Sequence, residues 1–392
     1  MAKSKWRFTL KMPKKFDFWL QFSSLVLVLF GTIMIISTSV GNTSVNNPYV
    51  VVNVAVKQII FIVVSYVMMT FLANNFTMVR ARKLARPLGF LLLGLCALTL
   101  CFEEVWGSRA WIRLGPITLQ PAEFVKVFMI VIIAVYVEIT GRRDFDWFTI
   151  VKVPLFFFVG FLLIIYLQND LGTMIILILL SMISFILPSH RNLRKWQRLA
   201  KLAFAIGCMV FIFAMSPPGL KIVNEVLKGS HITARFNNAA NPFTDQYGEG
   251  YQPIQGLVGI ASSDFLGQGI GSSRQKFGYL TQADNDYILA VVIEETGIFG
   301  LSLIVIFYIV LIQRLLFYAL RTKSEGYKII LIGTAMYIFL HFLLNVGGVG
   351  CLIPLTGVPL LFISSGGSSL MSIMSAVGIS QAVISRIRRQ AA

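Results

Sequence analysis

The sequence of 392 residues is poor in charged side chains, in cysteine and in histidine. Only 13% of the residues are charged, whereas soluble domains have about 25%, and 56% are apolar. The mean hydropathy is +0.77. Apolar runs of roughly 20 residues, enough to cross a bilayer core of about 30 Å, recur along the chain. The composition excludes a soluble enzyme, a disordered chain and a single-anchor protein, and it predicts a polytopic membrane protein.

The scarcity of cysteine and histidine argues against disulfides and zinc sites. The four cysteines lie in or beside apolar runs and are interpreted as small packing residues: Cys96, Cys101, Cys208 and Cys351. No HExxH motif, Cys/His cluster, Walker loop or dinucleotide fingerprint is present, so zinc chemistry and nucleotide-driven transport have no support. No cleavage site follows the basic start, and the first apolar run is therefore interpreted as a retained helix.

Ten apolar segments predict an all-α bundle of ten transmembrane helices. A backbone in lipid must satisfy its polar groups within each segment, which favours helices, and the runs lack the alternation of a β-barrel. The predicted spans are 18–39, 50–73, 87–102, 119–138, 153–168, 170–187, 199–216, 286–313, 328–346 and 366–385. We expect one membrane domain over residues 1–392.

The distribution of basic residues predicts that both termini face the cytoplasm. Most of the 34 lysines and arginines lie in the N-terminus (1–17), in alternate connections and in the tail (386–392), all on one side if there are ten spans. Nine basic residues lie on the outer side or inside spans, where this rule disfavours them, and we expect an anionic ligand to account for some of them. They are Lys57, Arg109, Arg113, Lys126, Lys221, Lys228, Arg235, Arg274 and Lys276.

The longest connection, residues 217–285 between the seventh and eighth spans, is predicted to be extracytoplasmic. Long loops without secondary structure are often disordered. This one, however, contains aromatic residues such as Tyr247, Tyr251 and Phe265, which are unusual in a linker. We therefore expect an ordered cap, with a short helix within residues 254–265.

Acidic residues number only 17, and two of them open the eighth span in the run Asp284-Asn285-Asp286. A helix N-cap explains one of these carboxylates but not both. Glu294 lies near the same helical face as Asp286, two turns deeper. Carboxylates in spans usually face a cavity or a partner. Functional and structural roles are equally open for Asp286, whereas Glu294 leans towards a structural or cavity ion pair.

Other polar positions have simpler interpretations. Glu123 and Lys126 are spaced i, i+3 and are expected to form an internal ion pair that locks helices, in preference to direct catalysis. An Asx turn suffices to explain Asp170. Arg109, beside Trp111, is either an interfacial anchor or a guanidinium that binds a lipid-linked phosphate.

Five motifs of the chain, in order, resemble those of a known family. They are GSRAWIRLGPITLQPAEFVK, QNDLGT, the loop GEGYQ…GQGIGSSRQKFGYL, DYILAVVIEETGIFG and PLTGVPLLFISSGGSSL. Over nearly the whole chain they are similar to the SEDS family of shape, elongation, division and sporulation proteins (FtsW, RodA and SpoVE). The loop ending at Tyr279-Leu280 resembles the FtsW branch more than the RodA branch.

This resemblance implies a peptidoglycan glycosyltransferase that polymerises lipid II with inversion to a β-1,4 linkage, for septal wall synthesis and cell division. It places the active site at the outer face of the bacterial cytoplasmic membrane. The implied partners are a class B penicillin-binding protein, which supplies the transpeptidase, and proteins of the division or elongation complex; no nucleic acid is expected. A RodA-type elongation polymerase, a lipid II flippase and a pure scaffold remain as alternatives.

The resemblance also assigns residues. Asp286 takes the position of the family's catalytic aspartate, while Gln120, Glu123, Lys126 and Asp170 match other family motifs. This chain departs from the family pattern at three positions: Asp284 replaces a histidine, Ala110 an arginine and Ser365 a tyrosine.

For the mechanism, we expect Asp286 to act as general base on a sugar hydroxyl. Binding of the departing pyrophosphate and of the substrate is assigned to Arg109, Lys126, Arg235, Gln252, Gln255 and Lys276. A divalent cation, Mg²⁺ or Mn²⁺, is expected at Asp284 and Asp286. The alternative, equally open, is that Asp284 only raises the proton affinity of Asp286. No nucleotide or organic cofactor is expected.

Overall fold

Helices make up most of the structure, a computed structural model that describes residues 6–41, 49–105, 107–115, 117–140, 146–189, 191–226 and 231–390. Within these ranges the chain forms thirteen α-helices and one two-stranded hairpin, which confirms the predicted helical class. Lys228 lies outside the described residues, as do residues 1–5 of the basic N-terminus and residues 391–392 of the tail.

The helices are numbered in chain order. Their bounds are α1 Phe18–Ser39, α2 Tyr49–Asn75, α3 Met78–Thr99, α4 Pro121–Thr140, α5 Trp147–Leu167, α6 Leu171–Ile186, α7 Arg194–Ala214, α8 Pro217–Val226, α9 His231–Ala240, α10 Tyr251–Ala261, α11 Ile288–Arg321, α12 Glu325–Val349 and α13 Gly367–Gln390. Strand β1 (Ile112–Leu114) pairs antiparallel with β2 (Ile117–Leu119). Short 3-10 turns occupy Arg191–Leu193 and Pro242–Asp245.

Each of the ten predicted apolar segments overlaps one long helix. Seven of these helices are long and apolar enough to cross a membrane: α1, α2, α5, α7 with its preceding turn, α11, α12 and α13. The other three carry more charge or are shorter. Helix α3 begins with a basic turn, α4 contains Glu123, Lys126 and Glu138, and α6 has 16 residues. The structure therefore has the architecture of a multi-pass membrane protein, and the number of ten crossings stays a prediction.

The last helix, α13, is buried in the bundle although it is rich in serine. Its hydroxyl groups find partners inside the protein. The Ser372 hydroxyl, for example, donates to the carbonyl oxygen of Glu123 at 2.7 Å. A Cβ on Gly378 would overlap the carbonyl oxygen of Met69, so α13 and α2 approach closely. Small and hydroxyl-bearing residues are typical of such contacts between membrane helices.

Helix α11 is interrupted at Gly297, whose φ of 58° and ψ of −146° are strained for any residue with a side chain. The interruption frees backbone carbonyls that would otherwise bond within the helix. The amides of Gln268 and Gly269 donate to the carbonyl oxygens of Glu294 and Glu295 at 2.8 and 3.0 Å. The connection before α11 thus supplies the hydrogen bonds that the helix lacks.

A buried ion pair anchors the same connection. The Lys276 Nζ lies 3.0 Å from the Glu295 Oε1, and both side chains are 0% exposed. The hydroxyl of Ser37, near the end of α1, donates to both oxygens of Glu295 at 2.8 and 2.6 Å. The pair therefore connects α1, α11 and the connection that leads to Asp286.

The long connection between α7 and α11 contains three helices in its described part, α8, α9 and α10. The short helix expected within 254–265 is α10, which begins earlier, at Tyr251. It packs against the start of α11, where a Cβ on Gly256 would come within 2.9 Å of the Tyr287 ring. This packing holds the connection beside Asp286.

The buried ion pair gives a stability prediction. Glu295→Gln leaves the Lys276 ammonium buried without a counter-charge, which costs about 3–5 kcal/mol of the free energy of unfolding. The expected result is a clear fall in the thermal unfolding midpoint of the detergent-purified protein.

The matched control is Glu104→Gln, which removes a half-exposed carboxylate 3.8 Å from Arg109 and should change stability very little. The double variant Lys276→Met/Glu295→Leu should recover much of the loss, because no charge stays buried. Equal midpoints for Glu295→Gln and Glu104→Gln would contradict this interpretation.

Candidate functional site

Asp286 lies in the wall of a cavity of about 750 Å³, called here the Asp286 cavity. The wall is formed by the start of α11, by α9 and α10, by the start of α6 and by the segment after α12. It brings together three of the other predicted site residues, Asp170, Arg235 and Gln252. These residues are distant in sequence and belong to four different parts of the chain.

One oxygen of the Asp286 carboxylate, Oδ1, is buried without a hydrogen-bond partner among the described residues. Asp286 precedes the first residue of α11. Burial raises the pKa of Asp286 to about 6; Asp284 and Asp170 raise it as well, and the positive charge of Arg235 opposes them. Such a group is ionised at neutral pH and ready to accept a proton.

Asp284 faces a different space, although it is only two residues away. Its side chain is exposed, and its Oδ2 accepts a hydrogen bond from the Ser365 hydroxyl at 2.6 Å. It lines a smaller cavity of about 220 Å³, together with Lys57, Glu123 and Lys126. The two cavities adjoin, since both are lined by Trp111, Asp170, Asn285 and Gly357.

Glu123 and Lys126 form a buried pair beside the smaller cavity. The Lys126 Nζ is 2.7 Å from Glu123 Oε1 and 3.1 Å from the Nε2 of His341. The Tyr337 hydroxyl donates to Glu123 Oε2 at 3.0 Å. The pair links α4 to α12 and α13, which is the geometry expected of an ion pair that locks helices.

Asp170 both caps a helix and lines the two cavities. Its Oδ1 accepts the backbone amide of Thr173 at 3.0 Å, as an N-cap of α6 does, and its Oδ2 accepts the side-chain amide of Gln120 at 2.7 Å. Burial raises the pKa of Asp170, and its hydrogen bonds with Thr173 oppose this effect. The expected Asx geometry is therefore present, in a residue that also borders the site.

Four predicted site residues are not brought to either cavity. Arg109 is half-exposed and 3.8 Å from Glu104, and Gln255 is absent from the walls described above. Lys276 is neutralised by Glu295. Glu294 is buried and accepts the hydroxyl of Ser273 and the backbone amide of Arg274, so it holds a loop rather than a cation.

Several polar groups around Asp286 were not singled out by the sequence. The Oγ1 of Thr356, the Oδ1 of Asn345 and the hydroxyl of Tyr287 are buried and have no hydrogen-bond partner among the described residues. Thr356 and Tyr287 line the Asp286 cavity. The signal that the sequence offered was the broken Gly, Pro and Ser character of residues 354–370, next to the last span.

The described residues contain no group of three or more His, Cys, Asp or Glu side chains that could hold a metal ion. Asp284 and Asp286 line different cavities. One or two carboxylates nevertheless fit a Mg²⁺-type ion, which usually completes its shell with water and ligand phosphates. Side chains of the described residues alone therefore do not form a closed metal centre.

The chain is similar to known proteins over almost its full length. The model of the cell cycle protein family that groups FtsW, RodA and SpoVE matches residues 18–390. The probable peptidoglycan glycosyltransferase FtsW of Bacillus subtilis (strain 168) is 33% identical over 374 residues, which cover 94% of this chain and 90% of that protein. Stage V sporulation protein E of the same organism is 30% identical over 368 residues, covering 93% and 95%.

A solved chain from a peptidoglycan synthase complex has the same fold. The TM-score is 0.72 at 22% identity, and the match covers 96% of this chain and 100% of that chain. The match to the family model and the identity shared with FtsW over 94% of the chain show that this protein belongs to the FtsW, RodA and SpoVE family, as its five motifs indicated.

Proposed function

We propose that this protein is a peptidoglycan glycosyltransferase that polymerises lipid II, with Asp286 as the general base. The observation that carries the proposal is the Asp286 carboxylate, whose Oδ1 is buried without a partner among the described residues, in a cavity of about 750 Å³ that Arg235 also lines. The names of family relatives such as FtsW of Bacillus subtilis support the same activity.

In the proposed reaction the 4-hydroxyl of one GlcNAc attacks the anomeric carbon of a MurNAc that carries polyprenyl pyrophosphate. The new carbon–oxygen bond forms as the bond to the pyrophosphate breaks, and the configuration at that carbon inverts. The hydroxyl proton passes to Asp286, and the pyrophosphate departs with the bonding electron pair. A positioned base of this kind contributes about 10²–10⁴-fold to the rate.

Arg235 is the first candidate for binding the leaving pyrophosphate. It lines the Asp286 cavity, and none of the described carboxylates forms a salt bridge with it. Guanidinium groups match phosphate oxygens with paired hydrogen bonds. Gln252 lies in the same wall as a neutral donor for substrate, although its amide already contacts the Thr281 hydroxyl.

The adjoining cavity supplies further positive charge. Lys57 and Lys126 line it, and Glu123 already balances the charge of Lys126. Asp284 is the residue that would hold Mg²⁺ or Mn²⁺ together with water and substrate phosphates, and the ion would neutralise charge on the leaving group, whereas Asp286 lines the other cavity and stays free as the base. Arg109, Gln255 and Lys276 are less suited to substrate, because they lie away from both cavities.

We also propose the membrane arrangement. The chain is one membrane domain of ten crossings in which α3, α4 and α6 join the seven candidate spans. Both termini face the cytoplasm, where most basic residues gather. The 217–285 connection and the Asp286 cavity then face the outside, where lipid-linked precursors are polymerised.

A class B penicillin-binding protein is the proposed partner, within a division complex at the septum. Support comes from the fold shared with a chain of a peptidoglycan synthase complex that coordinates polymerization and crosslinking. A RodA-type role in elongation would use the same chemistry. A lipid II flippase is the alternative activity. Reconstitution with lipid II distinguishes the two activities, because a polymerase forms glycan strands and a flippase translocates the lipid.

Asp286→Asn should reduce glycan polymerisation by at least about 100-fold, because an amide accepts no proton from the sugar. The measurement is polymer yield from purified protein with lipid II and its transpeptidase partner. Asp264→Asn is the matched control and should keep near-wild-type activity, since Asp264 is exposed and lines neither cavity. Near-normal glycan strands from Asp286→Asn would remove Asp286 as the base.

Arg235→Ala should slow polymerisation strongly, by about 10²–10³-fold if Arg235 stabilises the leaving charge, whereas Arg109→Ala should have little effect. The same assay, with initial rates at saturating lipid II, compares the two. A greater loss with Arg109→Ala than with Arg235→Ala would contradict the proposed site.

A further inference from the structure

Asn345, in the last two turns of α12, connects Asp286 to the irregular segment that follows α12. Its side-chain amide Nδ2 donates to the backbone carbonyl oxygen of Asp286 at 3.0 Å and to that of Val358 at 2.9 Å. The Asn345 side chain is 1% exposed. One buried amide therefore joins two stretches of chain that are 72 residues apart in sequence, at 286 and 358.

The orientation of this amide is fixed by its partners. Both partners are carbonyl oxygens, which only accept hydrogen bonds, so the NH₂ group must face them and the oxygen must point away. The oxygen, Oδ1, is buried and finds no partner within the described part of the chain. A buried oxygen without a hydrogen bond is unfavourable. The contribution of Asn345 therefore comes from the two hydrogen bonds that its NH₂ group donates.

The segment that Asn345 holds forms the wall next to the catalytic carboxylate. Gly357 has a φ of +69°, and a Cβ there would lie 3.5 Å from the Asp286 Oδ2. On the other side of the segment, a Cβ on Gly172 at the start of α6 would overlap the carbonyl oxygen of Thr356. The segment is thus confined between α6 and Asp286, and small shifts in it change the space around the carboxylate.

One turn earlier on α12, His341 holds the next carbonyl of the same segment. Its Nδ1 is 3.0 Å from the carbonyl oxygen of Pro359, which only accepts, and its Nε2 is 3.1 Å from the Lys126 Nζ. His341 and Asn345 are spaced i, i+4 and share one face of α12. That face therefore connects the Glu123–Lys126 pair, residues 358–359 and the backbone of Asp286.

We infer that Asn345 is a positioning residue, which fixes the backbone of Asp286 against residues 354–359 so that the carboxylate points into its cavity. This inference rests on the proposed glycosyltransferase function. Asn345 touches no reacting atom. Misplacement of a catalytic group by about 1 Å costs about 100-fold in rate, so loss of this link should act on turnover.

The test is Asn345→Leu, which keeps the number and branching of the side-chain heavy atoms and removes both donors. Steady-state polymerisation of lipid II by the full-length protein with its transpeptidase partner gives kcat and KM separately. We expect kcat to fall about 10- to 100-fold, with KM within about threefold of the wild-type value. The matched control is Thr334→Val, which removes a buried hydrogen bond of the same helix, to Ser380 at 3.1 Å, far from the site.

The outcomes separate this inference from the proposed function. A wild-type protein that makes no polymer overturns both. An active wild type with equal kcat for Asn345→Leu and Thr334→Val overturns the positioning role alone, as does a rise in KM with kcat unchanged.

Thermal unfolding of each variant shows whether it folds. If Asn345→Leu does not fold, Asn345→Ala, which leaves room for water beside the two carbonyls, replaces it. Asn345→Ala should show the same fall in kcat, and a wild-type kcat from it overturns the inference.

Discussion

The proposed chemistry depends on one carboxylate, that of Asp286, with a buried oxygen that has no hydrogen-bond partner among the described residues. A buried aspartate is normally stabilised by a cation or by several hydrogen bonds, and both lower its pKa. Burial, together with the nearby acids Asp284 and Asp170, raises the pKa of Asp286 to about 6, although the positive charge of Arg235 opposes them. A proton acceptor for a sugar hydroxyl needs this combination of ionisation at neutral pH and a retained affinity for protons.

The rest of the bundle keeps that carboxylate in place with irregular backbone, which is costly in a membrane unless its polar groups are satisfied. The interruption at Gly297 is satisfied by the amides of the preceding connection, and the buried pair of Lys276 and Glu295 anchors that connection to α1. On the other side, Asn345 satisfies the carbonyl of Val358. The segments on both sides of Asp286 are therefore tied to packed helices.

Much of the fold was predictable from the sequence, because each long helix contains an apolar run. The start of α3 was not, since the apolar segment was placed at 87–102, whereas the helix starts at Met78 and includes Pro87. The role of Asp286 came from family motifs, not from the composition, which left it open. Basic residues against the positive-inside rule suggested anionic ligands, yet Lys126 and Lys276 pair with carboxylates of their own chain. Charge in a sequence does not distinguish an internal counter-ion from a ligand, because that depends on which distant segments meet.

The most direct test of the account is the pH dependence of lipid II polymerisation by the wild-type protein, at a fixed concentration of divalent cation. Because burial raises the pKa of Asp286 from 3.8 to about 6, the carboxylate is protonated and inactive as a base below that value. The account predicts that kcat/KM rises with pH, with a midpoint near 6, and then levels off. A rate that stays constant from pH 7 down to the ordinary carboxyl range would contradict it.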